Sequence, residues 1–303
     1  MDIRSLAYLG FESPNYRAWE TFAPAVLGMQ VVEEEEDAVF LRMDSRHHRV
    51  VVRPGQRDDI SYVGWEVPTL DALETAAREI SEAGYQVERG DSKLADQRRV
   101  LALIAVTDPA GFRHEIAYGQ WYQPHSFTPG RPHDGFVAEE QGLGHLVLAA
   151  PVTDEYRHFL ATVLSFTVYA EFPVELGPGG ATADMLFLRC NSRTHCLAII
   201  GLPSLRGIEH FEVEAKSLSD VGIAYDLLSE HNLEITRTLG SHTIDPVVSF
   251  YFRTPSGFDM ECAYGGIDID GTVVVGKPTK TDIWGHRRTG VGPATTLRPI
   301  ETD

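Results

Sequence analysis

The chain has 303 residues, with 26 Lys and Arg against 44 Asp and Glu, a formal net charge of −18. That length suits two domains or one large repeated unit, and 43% hydrophobic with 23% charged residues supplies an ordinary globular core. The acid excess opposes phosphate binding, so nucleic acid and anionic membranes are excluded as partners.

No apolar run approaches the roughly 18 residues of a spanning helix, and the N-terminus lacks a signal-peptide core, so the expected compartment is the cytoplasm. Cys190, Cys196 and Cys262 have no CxxC spacing and fit small buried hydrophobes in a reducing compartment. In chain order, SLAYLGF (Ser5 to Phe11) reads as a strand, and Ala18 to Met29 as an amphipathic stretch. LDALETAAREISEAGY reads as a helix with Thr69 as N-cap and Gly84 as its stop. Asp108 to Gly119 contains a turn, and the Pro-, Gly- and His-rich segment from Gln120 to Gln141 is a linker. Gly142 to Leu148 is a second strand, and Glu155 to Phe166 a helix with Phe159, Leu160, Val163 and Leu164 at helical spacing. SFYFRTPSGFDMECAYG (Ser249 to Gly265) is a β-hairpin around Pro-Ser-Gly, and the segment after Gly266 is a polar tail.

These elements repeat. Ser5 to Phe11 aligns with Gly142 to Leu148, and Ala18 to Met29 with Glu155 to Phe166, both at an offset of 137. Asp108 to Gly119 aligns with Thr254 to Gly265 at an offset of 146. Between them Gly64 to Val87 matches His210 to Ile235, with two extra residues in the second copy. The expected architecture is therefore α+β with two homologous domains, 1–134 and 135–303, each strand, helix, strands twice over.

The copies differ chemically. Tyr8 stands opposite His145, Gly64 opposite His210, and Glu115 opposite Glu261, so only the second copy carries two histidines and a carboxylate. Brought together on one face, these would form the two-His, one-carboxylate triad favoured by non-haem Fe(II) with open positions. Both histidines lie within apolar strand patterns, where ligation would offset the cost of burying the ring.

The segment GSHTIDPVVSFYFRTPSGFDME (Gly240 to Glu261) resembles the signature of the type I extradiol ring-cleavage dioxygenases of the vicinal oxygen chelate superfamily, through Gly240, His242, Tyr251, Pro255, Gly257 and Glu261. The resemblance spans nearly the whole chain and is strongest to the two-domain enzymes acting on 2,3-dihydroxybiphenyl and related bulky catechols. It implies paired βαβββ modules in each domain, the glyoxalase-like fold, with an N-terminal domain that binds no metal. It further implies Fe(II), or Mn(II) in a few relatives, held by His145, His210 and Glu261. His195 would be the acid–base group beside O₂, and His242 and Tyr251 would hydrogen-bond the substrate oxygens, with Asp245 orienting His242. Val147, Phe187 and Ala198 match ring-pocket positions. Two departures are Thr194, where relatives often have His, and Ile244, where many have Asn; an apolar Ile244 at the pocket mouth would remove a polar contact.

The implied partners are a catechol and O₂, the implied assembly a homo-oligomer, commonly an octamer, and the implied product a yellow hydroxy-oxo-dienoate formed through a lactone. Alternatives are a steroid-derived, alkyl or polycyclic catechol as substrate, a glyoxalase-like metal-dependent isomerase or lyase, or a non-catalytic binding protein.

Overall fold

A computed structural model describes residues 1–32, 35–176, 181–269 and 280–300. In the first half β1 (Ser5–Ser13), α1 (Ala18–Phe22), β2 (Gln30–Val32), β3 (Val39–Arg42), β4 (Val50–Pro54), β5 (Asp59–Val67), α2 (Leu70–Glu82), β6 (Glu88–Arg89), α3 (Ser92–Arg98), β7 (Ala102–Thr107) and β8 (Arg113–Tyr118) follow one another. The second half runs β9 (Leu146–Ala150), α4 (Asp154–His158), β10 (Thr167–Glu175), β11 (Thr182–Arg189), β12 (Leu197–Gly201), β13 (Leu205–Ala215), α5 (Leu218–Glu230), β14 (Ile235–His242), β15 (Val248–Arg253), β16 (Asp259–Tyr264), β17 (Asp282–Trp284) and β18 (Arg298–Pro299).

The halves share one strand order. The first sheet is β2-β3-β4-β1-β5-β8-β7-β6, and the second is β10-β11-β12-β9-β13-β16-β15-β14 with β17 added at its edge. The mixed α+β architecture expected from the repeat, and the glyoxalase-like arrangement the resemblance implies, are thus present. α2 forms where expected: Thr69 Oγ1 accepts from the Ala72 amide at 3.0 Å, and Leu73, Ala76, Ala77 and Ile80 make one buried face. The hairpin is β15 and β16, antiparallel from Val248↔Tyr264 to Arg253↔Asp259. His145 stands one residue ahead of β9 rather than within it.

Strand alternation sorts each sheet into two faces. On β13, Phe211, Val213 and Ala215 enter the main core, as do Phe250 and Phe252 of β15 and Met260 and Cys262 of β16. The intervening residues face the other way, and they include His210, Glu212, Ser249, Tyr251 and Glu261. The core crosses between the halves: Phe11 stacks on Phe211 with centroids 5.6 Å apart, and Trp65 meets Phe166 at 4.8 Å. The segment read as a linker is tied down by an Arg131–Asp220 ion pair at 3.2 Å and a Phe136↔Ala215 bridge. Cys196 and Cys262 are buried and Cys190 is half-buried, all three as free thiols.

The ladders correct one part of the repeat. β1 pairs β5 through Gly10↔Tyr62 and Phe11↔Ile60 around a bulge, and β9 pairs β13 through Val147↔His210 and Leu148↔Ile208 around the same bulge. Tyr62, not Gly64, therefore occupies the His210 position, and Gly64 corresponds to Glu212. The helix caps agree, since Thr69 and Ser217 start α2 and α5 at the same offset. The extra residues in the second copy precede this point rather than follow it. Gly64 instead makes room, because a Cβ there would lie 2.3 Å from the Tyr8 ring.

Candidate metal centre and substrate chamber

His145, His210 and Glu261 come together from β9's leading end, β13 and β16. His145 Nε2 lies 3.1 Å from His210 Nε2 and 3.2 Å from Glu261 Oε2, and His210 Nε2 lies 3.4 Å from the same oxygen. Three atoms each about 2.1 Å from one ion, as on an octahedral face, would stand about 3 Å apart. Glu261 Oε2 is buried without a hydrogen-bond partner, the state of an oxygen whose ligand is a cation. The donor set fits a divalent metal. Among the described residues the other such grouping is His242, Asp282 and His286.

Each ligand is held from behind. His145 Nδ1 lies 2.9 Å from Glu212 Oε2, His210 Nδ1 contacts Glu209 Oε2, and Ser249 Oγ donates to Glu261 Oε1 at 2.6 Å. Carboxylates behind both rings require Nδ1–H, which in the neutral rings leaves the Nε2 lone pairs aimed at the centre. Glu209 reaches His210 because it is the bulged residue of β13, and Arg237 pairs with it at 2.6 Å. Burial alone would raise the Glu261 carboxyl, but the His145 and His210 rings beside it hold it well below its usual range.

Burial also opposes charge on His145, yet Glu212 and Glu261 raise it to about 10. A metal arriving at neutral pH must displace that proton, so affinity is expected to climb about tenfold per pH unit through the neutral range, levelling near 10. Calorimetric loading in two buffers of different ionisation enthalpy should show proton release; identical heats in both would contradict it.

His195 lies against His145 with centroids 4.2 Å apart and the rings tilted by 30°, and it meets Phe187 edge-on at 5.1 Å. Burial pushes its imidazole well below the usual range, and the nearby His145 adds to this, so it is neutral. Thr194 Oγ1 donates to Asp245 Oδ2 at 2.5 Å and lies 3.0 Å from His195 Nδ1. With its own hydrogen committed to Asp245, Thr194 accepts Nδ1–H, leaving Nε2 of His195 as a bare acceptor. Burial, with Glu212 nearby, pushes Asp245 up to about 6.

Asp245 therefore serves Thr194 and His195, and the expectation that it orients His242 is corrected. The carboxylate at His242 is Asp282, 2.8 Å from Nδ1, supplied by the tail strand β17. On its other side His242 Nε2 lies 2.6 Å from Tyr251 Oη. Tyr251 is buried, and burial together with Glu261 pushes its phenol well above its usual range.

A cavity of about 690 Å³ opens from the triad. Val147, Phe187, Ala198 and Ile244, the four pocket positions read from the sequence, form one apolar cluster with Phe172 and Val174. Phe172 and Phe187 stack at 5.3 Å. Ile244 is part of this apolar wall and is itself buried, while its carbonyl accepts from Tyr169 Oη at 3.1 Å.

Sequence reading missed Glu209, Glu212, Ser249, Asp282 and His286. Glu212 was signalled, since HFEVE places His210 and Glu212 on one strand face. Asp282 and His286 lie in an aperiodic tail that carried no such signal.

In the first half the corresponding centre is filled by protein. Glu115 accepts from Tyr8 Oη at 3.1 Å and from Arg98 at 2.8 and 3.0 Å, and Arg98 lies over the Tyr62 ring, 3.6 Å from its centroid.

Residues 6–55 match the family described as Dihydroxybiphenyl dioxygenase BphC D1, and residues 142–262 match the Glyoxalase/Bleomycin resistance protein/Dioxygenase superfamily. The chain is similar to biphenyl-2,3-diol 1,2-dioxygenase of Metapseudomonas furukawaii, 39% identical over 290 residues covering 95% of this chain and 94% of the relative. It is also similar to 1,2-dihydroxynaphthalene dioxygenase of Pseudomonas sp. strain C18, 35% identical over 294 residues covering 95% of each. Among solved structures, BphC, a halotolerant catechol dioxygenase, matches with a TM-score of 0.91 and 35% identity, covering 98% of this chain and 99% of the other.

Proposed function

The chain belongs to the extradiol catechol dioxygenases related to biphenyl-2,3-diol 1,2-dioxygenase, and from that premise we propose that it opens the ring of a bulky 3-substituted catechol such as 2,3-dihydroxybiphenyl with O₂, using Fe(II) held by His145, His210 and Glu261. The observation that carries this reading is the triad, with its unpartnered Glu261 oxygen, facing an apolar-walled cavity of about 690 Å³. Bound there, the ion would supply a redox-active Lewis acid at which diol and O₂ meet.

The remaining work falls to side chains. Val147, Phe187, Ala198 and Ile244 receive the 3-substituent and exclude water, favouring an apolar aryl or alkyl group over a charged one. Neutral His195 takes and returns a proton at Nε2, with Thr194 and Asp245 fixing its ring. His242 and Tyr251 hold the substrate's oxygens, their mutual hydrogen bond opening to admit the diol. The first half, read as domain 1–134 beside a catalytic domain 135–303, is a structural partner and oligomer surface. No helix among the described residues is long and apolar enough to cross a membrane; we place the enzyme in the cytoplasm, on its free cysteines, as a homo-oligomer.

The test is anaerobic loading with Fe(II) or Mn(II), then 2,3-dihydroxybiphenyl, 3-methylcatechol or catechol, then air. Yellow product with equimolar O₂ uptake, fastest with Fe(II) and with kcat/KM falling from the biphenyl to catechol, is expected. No O₂ uptake with any 3-substituted catechol would overturn the reading.

A further inference from the structure

His242 is gripped from the tail. β17 pairs with β14 so that Asp282 stands directly opposite His242, and Asp282 Oδ1 lies 2.8 Å from His242 Nδ1. The same oxygen lies 2.7 Å from His286 Nδ1, and the two imidazoles face each other with centroids 4.2 Å apart. His286 Nε2 lies 3.1 Å from Ser249 Oγ, which donates to the ligand carboxylate Glu261 at 2.6 Å. A continuous set of contacts thus joins Glu261, Ser249, His286, Asp282, His242 and Tyr251.

An ionised carboxylate only accepts, so both rings turn an Nδ1–H toward Asp282. For His242 that choice settles the other nitrogen. His242 Nε2 is left as an acceptor, and Tyr251 Oη, 2.6 Å away, donates to it. Separations of 2.7 and 2.8 Å are those of charge-assisted hydrogen bonds. The outer ring nitrogens also face protein, Tyr251 Oη at His242 Nε2 and Ser249 Oγ at His286 Nε2, so the trio reads as a hydrogen-bonded unit.

We propose that Asp282 is a positioning residue for ring cleavage. It holds His242 in the Nδ1–H form, with Nε2 presented to Tyr251 and the diol, and His286 braces the carboxylate from its far side. The tail is thereby part of the active site: β17 sets the tautomer and the orientation of a group on β14. The inference rests on His242 acting at the substrate oxygens.

The Fe(II)-loaded enzyme and its Asp282→Asn, Asp282→Glu, His242→Ala and Asp282→Asn/His242→Ala variants separate the possibilities with 2,3-dihydroxybiphenyl. Asn is nearly isosteric and offers His242 an amide donor as readily as an acceptor, so it removes the tautomer lock while keeping the fold. Asp282→Asn should lower kcat about 10- to 100-fold, below the 10²–10⁴ that an acid–base group itself contributes. Iron content should stay unchanged, and the anaerobic dissociation constant for the catechol should rise by less than kcat falls. In the His242→Ala background the same change should cost nothing further, because the two residues act as one. Asp282→Glu, which keeps the carboxylate, should recover part of the rate. Wild-type kcat in Asp282→Asn, an equal added loss in the His242→Ala background, lost iron, or a second metal equivalent that Asp282→Asn abolishes would each overturn the proposal. His242→Ala running at the wild-type rate would sink the reading of His242 and this inference with it; an impaired His242→Ala beside an unimpaired Asp282→Asn would sink this inference alone.

Discussion

Replacing His210 with Ala is expected to abolish metal retention and ring cleavage together, whereas His195→Ala keeps the metal and loses rate. His210 supplies one of three ligand atoms packed 3.1 to 3.4 Å from one another, and removing it leaves one nitrogen and one oxygen, too few to hold a labile divalent ion. It also leaves Glu209 without its histidine contact, so the carboxylate network behind the site loosens as well. His195 touches the centre differently: its ring lies tilted against His145 but has its Nδ1 committed to Thr194. Its loss removes a neutral base and leaves the triad whole, and about 10²- to 10⁴-fold in kcat is the corresponding scale. Metal content by elemental analysis and turnover by O₂ electrode separate the two variants. Full activity in His195→Ala would remove it from the reaction, and stoichiometric metal in His210→Ala would remove the triad.

The second large effect lies far from the chemistry. Arg98→Ala should destabilise the protein by about 3 kcal/mol, because breaking a buried ion pair leaves an uncompensated charge. The Glu115 side chain is fully buried and that of Arg98 is 10% exposed, and the guanidinium grips both carboxylate oxygens. Arg113, 3.2 Å from Glu115, covers part of the charge and keeps the loss toward the lower end of the usual range. Where the second half would hold a cation between two histidines and a carboxylate, the first half holds a guanidinium between Tyr8, Tyr62 and Glu115. Urea midpoints with the second-half metal content as control provide the check. A variant of unchanged stability would contradict the reading of Arg98 as the cation that fills the emptied site. Changing Arg98→Met and Glu115→Gln together should recover most of the loss, since replacing both partners avoids a lone buried charge.

The three candidate ligands were legible because a repeat turns position into chemistry. His145 and Glu261 are conspicuous once Tyr8 and Glu115 stand opposite them. The pairing of Gly64 with His210 went astray because a two-residue insertion can be placed anywhere in a gap, and only the bulged ladder shows that Tyr62 is the counterpart. The resemblance gives Asp245 to His242; in the fold it turns instead to Thr194, and Asp282 reaches His242 across a strand pair that joins residues 40 apart.

By itself the sequence determined what local periodicity and internal comparison can carry: two α+β copies, a helix capped by Thr69 in the first, a hairpin ending on Glu261, and a single chemically equipped half. Those features follow from nearest-neighbour constraints, alternation on strands and spacing on helices, which are written in consecutive residues. The tertiary structure decided which carboxylate stands behind which imidazole, that the tail closes the site, and that an arginine replaces the missing ion in the first half. Each of these depends on strand register and on side chains converging from distant elements, where a shift of one residue sends a group to the opposite face. Hydrogen-bond direction and protonation follow from those placements.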